Sequence, residues 1–210
     1  MPDTFAITPI SYIATCIAME LTPGPNMAYL ALLSAERGRV AGLAATAGVA
    51  LGLSILGALA VFGVGPLIAE NRVIYEVLRW GGVAYLLWLA WDAWWDAQKE
   101  VDSSVVAEPL ATYFRRGLLT NLLNPKAVMF YIAVMPNFLP AGQPGVRQSL
   151  VLASLYVAIA TLVHGAIVVA AGSLQPLLAQ PGRRRLLGAV SSLLLAAIAC
   201  WIAFTTHRDW

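Results

Sequence analysis

Two short segments combine helix-breaking residues with polar side chains inside otherwise apolar stretches. The first runs Thr22-Pro23-Gly24-Pro25-Asn26 and the second runs Asn124-Pro125-Lys126. Proline removes a backbone donor and glycine tolerates most backbone angles, so each segment is predicted to interrupt a helix, with Thr22 or Asn26 capping the helix after the first. An interrupted helix leaves amide groups that suit a carboxylate and carbonyl groups that suit an ammonium ion. Both segments are therefore candidate binding elements, and a simple proline kink is the alternative.

Lys126 is the most informative residue of the second segment. If Asn124 caps a helix and Pro125 takes its first position, Lys126 places a cation in the first turn, where the helix dipole is already positive. A lysine in apolar surroundings costs about 2.5 to 3.5 kcal/mol on membrane-insertion scales. Such a site is prepared to bind an anion, either a substrate carboxylate or a carboxylate of the protein. The alternative is a side chain that extends to the membrane interface.

Two further ionisable residues lie within apolar stretches and are candidates for proton coupling. Glu20 precedes the first interruption, where it could pair with Lys126, take up and release a proton, or face a solvated vestibule. His164 lies among small and branched apolar residues. It is either a hydrogen-bonded packing residue or part of a proton relay.

The composition around these residues excludes most soluble proteins. Of the 210 residues, 60% are hydrophobic and 11% are charged, against about 25% charged in soluble domains. A spanning helix requires about 20 apolar residues. The stretches that meet this length are residues 5–34, 41–69, 73–95, 117–138, 148–178 and 185–205. We therefore expect an all-α polytopic membrane protein with six transmembrane helices, and the net charge of +2 gives no indication of nucleic-acid binding.

The longest polar connection lies near the middle of the chain and divides it into two halves. Residues 98–112 form the predicted cytoplasmic linker, and residues 1–97 and 113–210 form two repeats of three helices within a single transmembrane domain, 1–210. Because each half crosses the membrane an odd number of times, the second repeat is inverted relative to the first. The interruptions then fall in the first helix of each repeat, so the first and fourth helices are predicted to be broken.

The distribution of basic residues predicts that both termini are periplasmic, because Lys and Arg in short loops are retained in the cytoplasm. Trp91, Trp94 and Trp95 are predicted to anchor the inner end of the third span, with Asp92 and Asp96 solvated there. The inner loops hold Arg37, Arg39, Lys99, Arg115, Arg116, Arg183, Arg184 and Arg185, and the outer loops hold Arg72, Arg79, Arg147 and Arg208.

Small residues in the spans are predicted to allow close helix packing, either inside the protein or at a homodimer contact. The glycines in question are Gly38, Gly42, Gly48, Gly52, Gly82 and Gly188. Cys16 and Cys200 are interpreted as packing residues, since neither belongs to a CxxC motif or a ligand cluster. We expect no metal, no cofactor and no enzymatic activity, because no nucleophile with a partnered base stands out.

Four motifs occur together in this chain. They are Pro23-Gly24-Pro25-Asn26, the glycines from Gly38 through Gly52, Gly82-Val83-Ala84-Tyr85-Leu86, and Asn124-Pro125-Lys126-Ala127. In this order and spacing they resemble the LysE/RhtB family of bacterial amino-acid exporters. The resemblance implies efflux across the inner membrane, driven by the proton motive force, with homoserine, threonine, leucine or lysine among the substrates. It implies that the first and last motifs are binding elements, and it assigns no role to Glu20.

We therefore expect an antiporter that exchanges a small amino acid for protons by alternating access. Lys126 and the free amides would hold the carboxylate, while carbonyl groups near Gly24, with Asn26 and Glu20, would hold the ammonium group. The alternatives are an exporter of another small solute, such as a heavy-metal cation, and a membrane-embedded enzyme or scaffold.

Overall fold

The structure is a computed structural model that describes residues 9–63, 71–98, 108–139, 145–178 and 181–205, and every regular element among these residues is helical. The helices are α1 (Pro9–Leu21), α2 (Pro25–Arg37), α3 (Arg39–Val61), α4 (Arg72–Gln98), α5 (Leu110–Leu122), α6 (Pro125–Met129), α7 (Val146–Gly172), α8 (Gln175–Leu178) and α9 (Pro181–Thr205). A π-helical turn, Phe130–Val134, and a 3-10 turn, Met135–Phe138, continue α6. The prediction of an all-α membrane protein is confirmed.

Four of these helices, α3, α4, α7 and α9, are long and apolar enough to cross a membrane. A fifth candidate span consists of α5 together with α6 and its continuation, bent by 52° at the second interruption. The first predicted span, residues 5–34, is instead divided between α1 and α2, which have 13 residues each. Each reaches about 20 Å, short of the roughly 30 Å hydrocarbon core. Six crossings and inverted repeats therefore stay predictions, whereas the breaks in the first and fourth spans are present.

The predicted linker, residues 98–112, lies largely outside the described residues, which omit 99–107. Its last residues are helical, because α5 begins at Leu110 rather than at residue 117. The hydropathy pattern missed these turns because they carry Arg115 and Arg116. A helix can nevertheless extend beyond the apolar core, since its charged end then reaches the membrane interface.

Close backbone contact joins α3 to α5, while α3 also packs on α7 and α4 packs along α9. A methyl group added at Gly48 would lie 2.0 Å from the Phe114 carbonyl oxygen, and one added at Gly117 would lie 2.0 Å from that of Ala45. Helices approach this closely in membranes where small residues meet. The contact holds the C-terminal end of α5 beside α3, and so positions the second interruption.

The other glycines selected from the sequence are of two kinds. Gly38 lies between α2 and α3 rather than inside a helix, with a φ of 85° that other L-residues rarely adopt. The remaining ones are helical: Gly42 lies against Ser34, Gly52 against Asn121 and Gly82 against Leu123, and Gly188 is buried in α9.

The outward faces of the long helices are apolar. Leu162, Leu193 and Phe204 are 74%, 70% and 83% exposed. On a soluble protein such side chains would mark an interaction surface, but on helices of spanning length they form the surface that lipid covers. Cys16 is buried and Cys200 is exposed, and both are free thiols.

Candidate functional site

The two interruptions, 104 residues apart along the chain, meet in the fold. The Lys126 ammonium group donates a 2.7 Å hydrogen bond to the Thr22 carbonyl oxygen, which joins the start of α6 to the end of α1. Gly24 keeps the space open for the lysine, because a methyl group at this position would lie 3.3 Å from the Lys126 Cδ atom. The breaks therefore form one site rather than two separate kinks.

Lys126 occupies the first turn of α6. The Asn124 side chain caps this helix by accepting a 3.0 Å hydrogen bond from the Lys126 backbone amide, and Pro125 takes the first helical position. The ammonium group, however, lies at the C-terminal end of α1, where the helix dipole is negative and offsets the unfavourable dipole of α6. No described carboxylate forms an ion pair with it. The half-buried side chain thus turns toward the first interruption.

The first interruption is capped differently from our prediction. Gly24 is the N-cap of α2, in an extended conformation, and no described side chain caps this helix. The Thr22 hydroxyl group instead donates to the Ala18 carbonyl oxygen at 2.9 Å, while the Asn26 side chain turns toward α5. The prediction that Thr22 or Asn26 caps α2 is wrong, because Thr22 completes the last turn of α1. The first-turn amides of Asn26 and Met27 are consequently left without a side-chain cap.

A buried pair of amide side chains lies next to this uncapped turn. Asn26 Nδ2 donates a 2.7 Å hydrogen bond to Asn121 Oδ1 across the contact between α2 and α5. Asn26 Oδ1 and Asn121 Nδ2 have no partner among the described residues. Buried polar atoms are nearly always hydrogen-bonded in proteins. The two free atoms therefore point to a position that water or a ligand occupies.

Glu20 pairs with α7 rather than with Lys126. Its Oε1 atom accepts a 2.5 Å hydrogen bond from the Tyr156 hydroxyl group, and its Oε2 atom lies 3.0 Å from His164 Nε2. All three side chains are buried, and the ring of Phe130 stacks on that of Tyr156 with 3.6 Å between centroids. Among the described residues, His164 Nδ1 has no partner. The two ionisable residues selected from the sequence are therefore in direct contact.

These elements surround one small cavity. Glu20, Asn26, Lys126, Tyr156 and His164 are among the residues that line it. Its volume of about 10 Å³ is enough for a single water molecule and too small for an amino acid. The described side chains therefore leave no room for an amino acid in this cavity. Within the described part of the chain, no group of three or more His, Cys, Asp or Glu side chains is placed to hold a metal ion.

Two of the polar contacts involve residues that the sequence did not single out. Tyr156 and Asn121 are polar residues in predicted spans. The same criterion selected His164 and could have identified both of them. Asp92 was predicted to be solvated, and its side chain is 39% exposed while it also pairs with Arg116 at 2.9 Å. This pair forms because α5 begins early and carries Arg116 alongside α4. The Asp96 side chain lies outside the described residues.

Comparison with known proteins agrees with the four motifs. Residues 17–206 match the family described as LysE type translocator. The chain is 32% identical over 144 residues to the homoserine/homoserine lactone efflux protein of Salmonella typhimurium, covering 68% of this chain and 69% of the relative. It is 34% identical over 141 residues to the leucine efflux protein of Klebsiella pneumoniae, covering 65% and 66%. No solved structure matches the chain. The family match extends over most of the chain, so this multi-pass membrane protein belongs to the LysE type translocators.

Proposed function

We propose that this protein exports an amino acid across the bacterial inner membrane in exchange for protons. The Lys126 ammonium group carries the proposal, because it lies where two broken helices meet and forms no ion pair with a described carboxylate. The efflux proteins named above, one for homoserine and its lactone and one for leucine, support the choice of substrate class. An α-amino acid supplies the carboxylate that this cation lacks.

The carboxylate of the substrate would bind between Lys126 and the uncapped turn of α2. The amides of Asn26 and Met27 lie at the positive end of the α2 dipole, and Asn26 and Met27 line the same cavity as Lys126. Charge-assisted hydrogen bonds to a carboxylate are about twice as strong as neutral ones. The substrate carboxylate would thus take the Lys126 hydrogen bond that the Thr22 carbonyl oxygen accepts in the closed state.

The ammonium group of the substrate would bind Glu20 and the carbonyl groups near Gly24. Glu20 lines the cavity together with Lys126, so the site offers one charge of each sign to a zwitterion. An ionised Glu20 attracts the ammonium group, whereas a protonated Glu20 does not, and this competition is the requirement for exchange of substrate against proton. His164, at 3.0 Å from Glu20, is placed to pass the proton on.

Transport also requires the cavity to open. The site is built from α1 and α2 in the first half of the chain and from α6 and α7 in the second. Movement of one half against the other would enlarge the cavity and expose it to each side of the membrane in turn. The small cavity of the present conformation corresponds to the closed state of this cycle.

Replacement of Lys126 tests the carboxylate site. Lys126→Met keeps most of the side-chain volume and removes the charge. Loss of a hydrogen bond to a charged group costs about 1.5–3 kcal/mol, so we expect the half-saturating substrate concentration to rise roughly 10- to 150-fold. Counterflow of labelled leucine or homoserine in proteoliposomes measures this concentration. Thermal unfolding of the purified variant reports whether it is folded.

Lys126→Arg is the control, because it keeps a cation at the same position. We expect it to retain transport with a smaller loss of affinity, since the larger guanidinium group must still fit beside Gly24. A folded Lys126→Met protein with wild-type half-saturation would overturn the proposed carboxylate site. Wild-type vesicles that transport no member of a panel of labelled amino acids, homoserine included, would overturn the proposed function.

A further inference from the structure

A second polar cavity lies further along α2 than the site around Lys126. Tyr29, Glu36, Asp92, Arg116 and Ser191 are among its lining residues, contributed by α2, α4, α5 and α9. Its lining residues on α2 run from Tyr29 to Arg37, so it begins about one helical turn beyond Asn26 and extends to roughly 16 Å along α2 from that residue. Its volume of about 40 Å³ exceeds that of the first cavity and has room for a few water molecules.

Two buried hydroxyl groups in this cavity have no partner. Tyr29 and Ser191 are 4% and 1% exposed, yet neither the Tyr29 hydroxyl nor the Ser191 Oγ atom forms a hydrogen bond within the described residues. If these side chains only filled space, Phe in place of Tyr29 and Ala in place of Ser191 would do so without the cost of burying a polar group. The hydroxyl groups therefore indicate that something polar occupies the cavity during the working cycle.

The charges of the cavity match those of a zwitterion. Arg116 pairs with Asp92 at 2.9 Å and with Glu108 at 3.4 Å, and its guanidinium group lies 5.4 Å from the ring centroid of Trp88. An arginine fork suits a carboxylate, and a carboxylate suits an ammonium group. A ligand that carries both charges can replace the Arg116–Asp92 contact and leave neither charge without a partner. An anion without a positive group would bind Arg116 and leave Asp92 uncompensated.

We propose that this cavity, once it is enlarged by movement of the helices around it, is a second substrate site, which binds a zwitterionic α-amino acid before it reaches Lys126. Arg116 binds the carboxylate, Asp92 binds the ammonium group, and the hydroxyl groups of Tyr29 and Ser191 complete the hydrogen bonds. The proposal rests on the proposed export function. It also uses the predicted orientation, in which Arg37 and Arg116 are at the cytoplasmic side, where an exporter collects its substrate.

Removal of the two hydroxyl groups tests the proposal with minimal disturbance. Tyr29→Phe and Ser191→Ala each delete an oxygen atom that has no protein partner among the described residues, so their thermal unfolding should be unchanged or shifted to higher temperature. We expect each to raise the half-saturating leucine or homoserine concentration roughly 3- to 10-fold at an unchanged maximal rate. The assay uses inside-out membrane vesicles, in which the predicted cytoplasmic ends face the labelled substrate.

Ser192→Ala is the matched control, because Ser192 is the next residue on α9 and does not line the cavity. We expect this variant to behave as wild type. Unchanged half-saturation in folded Tyr29→Phe and Ser191→Ala would overturn the second site while wild-type export still supports the proposed function. A changed maximal rate with unchanged half-saturation would also overturn it, since the cluster would then act in opening and closing only.

Discussion

Glu20→Gln separates proton coupling from substrate movement. The carboxyl group contacts the Tyr156 hydroxyl group at 2.5 Å and His164 Nε2 at 3.0 Å. A glutamine keeps the shape and can accept from Tyr156 through its carbonyl oxygen. Its amide can donate to His164 Nε2 if the imidazole proton moves to Nδ1, which has no partner within the described chain. The variant should therefore fold, with a loss of about 1 kcal/mol or less for the missing charge.

The expected ratio of internal to external substrate concentration follows from the exchange of one proton at a single carboxyl group. One proton moving down a gradient of one pH unit releases about 1.36 kcal/mol, which can sustain a substrate gradient of about tenfold. Because this exchange moves one net charge, the membrane potential is held at zero with a permeant ion. Wild-type proteoliposomes with an interior one unit more acidic should then accumulate labelled substrate to about this ratio. Glu20→Gln cannot exchange a proton at this position, so we expect no accumulation. Counterflow without a pH gradient should continue at a higher half-saturating substrate concentration, because the neutral amide attracts the ammonium group less strongly than the carboxylate does.

Glu76→Gln is the control for this experiment. Glu76 is also a carboxylate on a helix, but it pairs with Arg79 on α4, away from the cavity around Lys126. It should retain accumulation driven by the pH gradient. Tenfold accumulation by folded Glu20→Gln would refute the assignment of Glu20 as the coupling group.

The remaining predictions concern packing and the amide pair. A methyl group at Gly48 would lie 2.0 Å from the Phe114 carbonyl oxygen, so Gly48→Ala should destabilise the protein by about 1–3 kcal/mol or more, measured by thermal unfolding. Gly165→Ala is the control, because a methyl group at this position would have no neighbouring atom within 4 Å. It should leave the free energy of unfolding unchanged or raise it by about 0.5–1 kcal/mol. Equal effects of the two variants would contradict the close contact of α3 and α5. Asn26→Ala and Asn121→Ala should each lower the free energy of unfolding by about 1–3 kcal/mol, and the double variant should lower it by less than the sum of the two. Additive losses would show that the two side chains do not interact.

The sequence alone was sufficient for the class of protein and for the local geometry of the breaks. Long apolar stretches with few charges predict spanning helices because the bilayer core provides no partner for free backbone groups. Asn124, Pro125 and Lys126 predict the cap and first turn of α6 because capping depends on residues two to three positions apart. The four motifs likewise indicated the family, which the match over residues 17–206 confirms.

Contacts between distant residues could not be derived in this way. The Glu20 side chain could have paired with Lys126, and the sequence left that alternative open. The pairing with His164 and Tyr156 depends on α1 packing against α7, and Asp92 meets Arg116 because α5 extends beyond its apolar region.

The sequence determined that two helices break and that a cation follows the second break, because proline, glycine and helix dipoles act within a few residues. Only the tertiary structure decided that the breaks meet, that the Lys126 ammonium bonds to the Thr22 carbonyl oxygen, and that Glu20 faces α7. These contacts join residues more than 100 positions apart. They depend on how helices from different parts of the chain pack together, such as α1 on α7 and α3 on α5, and no local pattern records those distances.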